Sequence, residues 1–210
     1  GKTNEHNTSV MEYCLIEGRE IKTVPMSLLV QLGSIVDFNV PMMETVFEKI
    51  GTPYKYEDFA QRLELAKYWL YQCAPESANK LRDYRDFDLY NTFSEEEKKE
   101  IALLYDYIAA GEYDLDSLNT KLYDIPKEVF GYDVENLKQI QGQFFKNVYK
   151  LLISKERGPR LYLFLYAIDR ERFMHLLDFS FPKTEEEEAL EKAALEAAKE
   201  PEKVKEYGEP

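Results

Sequence analysis

Between Asn136 and His175 the chain gathers Lys138, Lys146, Lys150, Lys155, Arg157, Arg160, Arg170 and Arg172 against only Glu156, Asp169 and Glu171, a local balance of +5 in a protein of net charge −13. Clustered Lys and Arg are what phosphate binding requires, because they release counterions from a polyanion. Within the cluster, Gln139, Gln143, Lys146 and Lys150 fall at i, i+4, i+7 and i+11, so two amides and two ammonium groups share one stripe of a helix. Phe145 and Tyr149 flank that stripe. Unstacked bases are held by aromatic platforms and by hydrogen bonds to their edges. The two rings fit that role, and they also fit core packing, where most of the 29 aromatics of this chain must go. Lys146 and Lys150 likewise fit either phosphate contacts or an ordinary solvated face. Trp69, the only tryptophan, shares a helix face with Arg62, Leu65 and Gln72. Its helix already has a complete inward stripe in Phe59, Leu63, Ala66, Leu70 and Cys73, so the indole is predicted to be at least partly exposed.

These residues depend on helices to position them. Met26 to Phe38 carries Leu28, Leu29, Leu32, Ile35 and Val36 at helical spacing, and a second helix opens at Pro41 and stops at Gly51. A third covers Glu57 to Cys73 and ends at Pro75. The stretch Asp83 to Asn91 is polar and aromatic without a period and reads as a connector. Ser94 and Glu97 form a capping box for a helix to about Ala110, stopped by Gly111, and a short helix spans Asp116 to Tyr123. The long helix is predicted from Val134 to Ser154, with Leu137, Ile140, Phe144, Val148 and Leu151 inward. Gly158-Pro159 breaks it, read as a left-handed cap and a first-turn proline, with Arg157 bonding the exposed carbonyls. Helix resumes at Arg160, and a last short helix covers Arg170 to Leu177.

Strand signals are confined to Met11–Ile16 and Arg19–Val24, which have the composition of a short β-hairpin. The fold class is therefore all-α, in two packed helical subdomains. The expected division is an N-terminal segment over 1–24, subdomains over 25–83 and 84–180, and a tail over 181–210. That tail has ten Glu and five Lys. Thr184 and Glu187 open it with a second capping box, but its apolar face is thin, so it reads as a solvated helix or a disordered end, peripheral to the rest.

Other chemistries find no support in the sequence. Cys14 and Cys73 lie 59 positions apart and His6 and His175 are isolated, which gives no zinc-ligand spacing; both cysteines read as buried hydrophobes. There is no phosphate-binding glycine loop and no nucleophile elbow. No apolar run approaches the roughly 18 to 20 residues of a membrane span. Two cysteines and no apolar or Arg-rich leader make a reducing, cytoplasmic setting the expectation. The opening Gly-Lys-Thr-Asn-Glu-His stretch reads as part of something longer.

The run Lys155-Glu156-Arg157-Gly158-Pro159-Arg160, preceded by a helix with Phe144, Phe145 and Tyr149 and followed by Ala167-Ile168-Asp169 and Arg170 to Leu177, resembles the C-terminal end of class I lysyl-tRNA synthetases. Upstream, Arg62-Leu63, Lys67-Tyr68-Trp69 and Ala74-Pro75-Glu76 are similar to that family's Trp-bearing helix, and Pro25 to Gly51 to its opening helical pair. The resemblance covers about Val24 to Phe179 and implies a helical cage that holds the anticodon of lysine tRNA. It marks Trp69, Phe145, Lys146, Tyr149, Lys150, Lys155, Arg157 and Arg160 as tRNA-binding candidates, in a monomer without DNA or membrane partners. The family's HIGH and KMSKS signatures are absent, so ATP, magnesium and catalysis are expected in a parent catalytic domain, not here. The acidic end after Phe179 does not match the family. Glutamyl-type synthetases share a looser form of the same ending, and a helical protein-interaction module is the rival of another class.

Overall fold

The computed structural model describes residues 24–197. The hairpin expected around Glu17-Gly18 and the residue Cys14 lie outside the described residues. Among those described there are nine α-helices and no strand, an all-α protein. The chain divides into two compact units, one up to Ala78 and one from Asn79.

The first unit contains α1 (Met26–Gly33), α2 (Val40–Lys49) and α3 (Tyr56–Tyr68). Asn39 caps α2, its Oδ1 accepting from the Met42 N–H at 3.1 Å, and a proline stands in the first turn where no donor is missed. Leu29, Leu32, Met43, Phe47, Phe59, Leu63 and Leu70 are buried together, with Phe47 and Phe59 edge to face at 5.3 Å. α1 closes against Phe38, which a Cβ on Gly33 would meet at 2.8 Å, so glycine is required for that approach. No single described helix is long and apolar enough to cross a membrane. Only the pair Met26–Val36 and Val40–Lys49 passes a length and composition test, bent by 119°.

After α3 the helix changes type. Trp69–Cys73 is a π-helical turn in which the Ala74 N–H donates to the Trp69 carbonyl at 3.1 Å. One residue more per turn rotates the side chains at its end, and this corrects the reading of Cys73: it completes the apolar stripe by α-helical arithmetic, but here it is exposed.

The second unit holds α4 (Phe87–Asn91), α5 (Glu95–Ala110), α6 (Leu115–Phe130), α7 (Leu137–Ile153), α8 (Leu161–Ala167) and α9 (Glu185–Ala197). Asp83 to Asn91 belongs to this unit and folds in part as α4, whose cap Asp86 accepts from the Leu89 N–H at 3.0 Å. The Ser94–Glu97 capping box is present, with both bonds made, at 2.9 and 3.2 Å, and Gly111 ends α5 in the left-handed conformation at φ 74°. α6 is longer than its expected span. It runs through buried Pro126 to Phe130, because Asp114 and Ser117 cap its start reciprocally and Leu118, Leu122 and Ile125 hold it to the core. The segment 170–177 forms two 3₁₀ turns, Arg170–Arg172 and Met174–Leu177, in place of an α-helix.

The described part of the tail, up to Ala197, is fastened to the second unit. Arg85, 1% exposed, directs all five of its guanidinium N–H groups to acceptors: both Glu187 oxygens at 2.8 and 2.6 Å, and the carbonyls of Asp178, Phe181 and Pro182. Its cation also lies 3.9 Å from the centroid of the Phe181 ring. Glu187 meanwhile completes the capping box of α9 with Thr184. One carboxylate therefore starts the helix and fastens it.

Candidate functional site

α7 carries most of the candidates and ends where its packing forces it to. Phe144, Val148, Leu151 and Leu152 are buried, which turns Gln139 and Gln143 to solvent and leaves Lys146 and Lys150 half-exposed. Ser154 takes the left-handed cap at φ 58°. Gly158 does not, and the physical reason for a glycine there is contact. An added Cβ would lie 2.9 Å from both the Tyr149 ring and the Ile153 side chain. Pro159 is buried one residue before the cap Arg160, outside the first turn of α8. The helix end is served by Arg82, whose N–H donates to the Leu152 carbonyl at 2.8 Å and whose guanidinium reaches Ser154 Oγ at 2.7 Å. Arg157, expected from the sequence to do so, is exposed and bonds to none of the described residues.

Tyr149 packs; it is not a stacking platform. It is 9% exposed, its hydroxyl donates to the Pro159 carbonyl, and burial together with the neighbouring Tyr123 pushes its pKa up to about 12. It remains a donor at any physiological pH and fixes the break between α7 and α8. Lys155 is also engaged locally, Nζ donating to Asn79 Oδ1 at 3.3 Å. Arg170 donates to the Ile108 carbonyl at 3.2 Å and so closes α5.

Lys138 and Arg160 are exposed and Lys146 and Lys150 partly so, whereas Arg172 turns one guanidinium nitrogen into the interior. Lys150 and Lys146 share Glu156, at 3.0 and 3.7 Å, and the Lys150 hydrogen bond above all holds that carboxyl below its usual range. Asn119 and Tyr123 of α6, Phe145 and Tyr149 of α7, and Arg160 and Tyr162 beside the break line an open cleft of about 400 Å³. Phe145 and Tyr123 meet edge to face at 5.1 Å. Asn119, Tyr123 and Tyr162 are missed from the sequence because helix spacing does not show which side chains meet between two helices and across a break. Trp69 belongs to the first unit and is 44% exposed, while Phe59, Leu63, Ala66 and Leu70 fill the buried side of its helix. Among the described residues no three His, Cys, Asp or Glu side chains come together to hold a metal ion.

No family model matches the chain. Its curated relatives include the protein named lysine–tRNA ligase from Archaeoglobus fulgidus, 25% identical over 173 residues, 81% of this chain and 32% of that protein. The Streptomyces coelicolor lysine–tRNA ligase is 28% identical over 125 residues, covering 55% of this chain and 21% of its own. The Borrelia garinii lysine–tRNA ligase is 34% identical over 110 residues, with 50% and 19% covered. The relatives of this all-α chain are thus lysine–tRNA ligases, enzymes of the aminoacyl-tRNA synthetase kind, and the chain spans between about a fifth and a third of their length.

Proposed function

We propose that this chain is the tRNA-binding portion of a class I lysine–tRNA ligase, and that its second unit engages the anticodon stem-loop of lysine tRNA. The observation that carries the reading is the end of α7, where Lys146, Lys150, Arg157 and Arg160 accompany a cleft with aromatic walls, in a chain related to lysine–tRNA ligases. Lysines in that position neutralise loop phosphates and set the register of the RNA, while ring faces and amides act on the bases. Attachment of lysine, with ATP and magnesium, belongs to a part of the parent enzyme outside these residues. The chain itself is assigned no cofactor and acts as a cytoplasmic monomer.

Filter binding of the 210-residue chain to lysine tRNA and to anticodon-substituted versions tests the proposal. The expected result is a loss of about tenfold or more on substitution, the cost of one misread base. Equal retention of every version would reject anticodon recognition, and preference for glutamate tRNA would move the chain to the glutamyl-type enzymes. Leu65, Tyr68, Trp69 and Tyr71, exposed on the first unit, favour a second reading as a protein-docking module. Trp69→Ala separates the two: weakened tRNA binding at unchanged thermal stability supports the RNA reading.

A further inference from the structure

Building on that RNA-binding reading, we infer that the cleft between α6, α7 and the start of α8 receives one unpaired nucleobase, with Asn119 reading the edge of the base. The volume of about 400 Å³ suits a small planar group, and none of the residues lining it is acidic, in a protein of net charge −13. That absence favours a nucleotide, with its phosphates, over a cationic ligand.

The walls are aromatic and held in place. Tyr123 is 45% exposed on α6, and its edge-to-face contact with Phe145 leaves a ring face uncovered. Gln141 on α7 donates to the Tyr123 carbonyl at 2.8 Å, which fixes the α6 backbone at this wall. On the other side, Arg160 Nη1 donates to the Tyr162 hydroxyl at 3.3 Å, so the guanidinium stands at the mouth, where the phosphate of a bound nucleotide would lie.

Asn119 supplies what stacking cannot. It is half-buried and its amide bonds to none of the described residues, although an amide offers two donors and an acceptor. Every base carries donors and acceptors on its edge, and an amide can match them in pairs. Asn119 is thus a specificity-determining residue, and Tyr123 a stacking one.

Fluorescence anisotropy of the full chain with four single-stranded homopolymeric hexaribonucleotides and an abasic hexamer tests the assignment. The wild type is expected to bind base-bearing hexamers about tenfold tighter than the abasic one, as a stacked base provides. Tyr123→Ala should remove most of that difference. Asn119→Ala should keep it but change the preference among the four bases by about fivefold, and Asn119→Gln should restore part of the original order, with thermal midpoints unchanged for all three. Equal binding of the abasic hexamer, or an unaltered base order in Asn119→Ala, overturns the proposal. If lysine tRNA is still discriminated by anticodon in that event, the function stands and the cleft assignment alone falls. If the hexamers behave as expected while lysine tRNA shows no anticodon preference, the cleft stands and the function falls.

Discussion

Glu100 is a carboxylic acid placed in the interior. It is 1% exposed, its Oε1 has no hydrogen-bond partner among the described residues, and burial, followed by the charge of Glu97 one turn earlier, raises its pKa to about 8. An ordinary glutamate titrates near 4.5, so between those values the folded protein holds a proton that the unfolded chain has released. The contribution of Glu100 to stability therefore declines as pH rises from about 4.5 to 8. Glu100→Gln, which carries no titrating proton, is expected to raise the thermal midpoint at about pH 8 and leave it nearly unchanged at about pH 4. The gain is about 1–4 kcal/mol, and each kcal/mol is worth roughly 2–4 °C in a chain of this size. Melting curves at the two pH values check this, and an equal shift at both would show that Glu100 is ionised throughout. Part of this is readable in the sequence: Glu100 precedes Ile101 by one position and Leu104 by four, at the edge of the buried face of α5. Its place beside a run of surface glutamates hides that position.

At the scale of the element, the end of α7 mixes attraction and restraint. Glu156 sits against both Lys146 and Lys150, so these lysines meet a phosphate only by giving up a carboxylate. Glu156→Gln is expected to tighten RNA binding several-fold at low salt, an effect that shrinks as ionic strength rises. Lys150→Ala should weaken binding equally for matched and mismatched anticodons and lower the salt slope by about 0.7–0.9, the value of one phosphate contact. Binding titrations at several salt concentrations read both changes. No effect of Glu156→Gln would mean that the two lysines lie away from the RNA. The helices that carry this site are legible because their apolar spacing and caps are local: Phe144, Val148 and Leu151 of the expected α7 stripe are buried, Leu137 and Ile140 in its first turn only partly so, and the Ser94–Glu97 box and the stop at Gly111 appear as expected. Tertiary packing supplies the rest, and local spacing does not show it. The π turn at Trp69–Cys73 exposes Cys73, the core carries α6 through Pro126, and Gly158 answers a ring that sits nine residues earlier.

At the scale of the whole molecule, the bond that spans most of the second unit joins Arg85 to Glu187, 102 residues apart. No local pattern announces it, since Arg85 lies in a stretch without periodicity and Glu187 in a run of four glutamates. Its consequences are physical. With the Arg85 side chain 1% and the Glu187 side chain 12% exposed, removing either partner strands a charge out of water. Glu187→Ala is therefore expected to cost about 3–5 kcal/mol. Replacing both partners with apolar residues, as in Arg85→Met with Glu187→Leu, should recover part of that loss, because the desolvation of the pair disappears with it while the carbonyls of Asp178, Phe181 and Pro182 lose their donor. The pH dependence is set by the carboxyl, which the Arg85 hydrogen bonds hold at about 2 against an ordinary 4.5. Between those values the unfolded chain takes up a proton that the folded protein refuses, so the stabilisation is complete above about pH 4.5 and is lost as pH falls towards 2. Denaturant titrations at about pH 7 and about pH 3 should accordingly show Glu187→Ala far below the wild type at neutral pH and closer to it in acid. The double variant should lack that acid-dependent component. A constant gap between Glu187→Ala and the wild type across this range would mean that Glu187 stabilises α9 as a helix cap alone, and that the charge of Arg85 is satisfied by the three carbonyls around it.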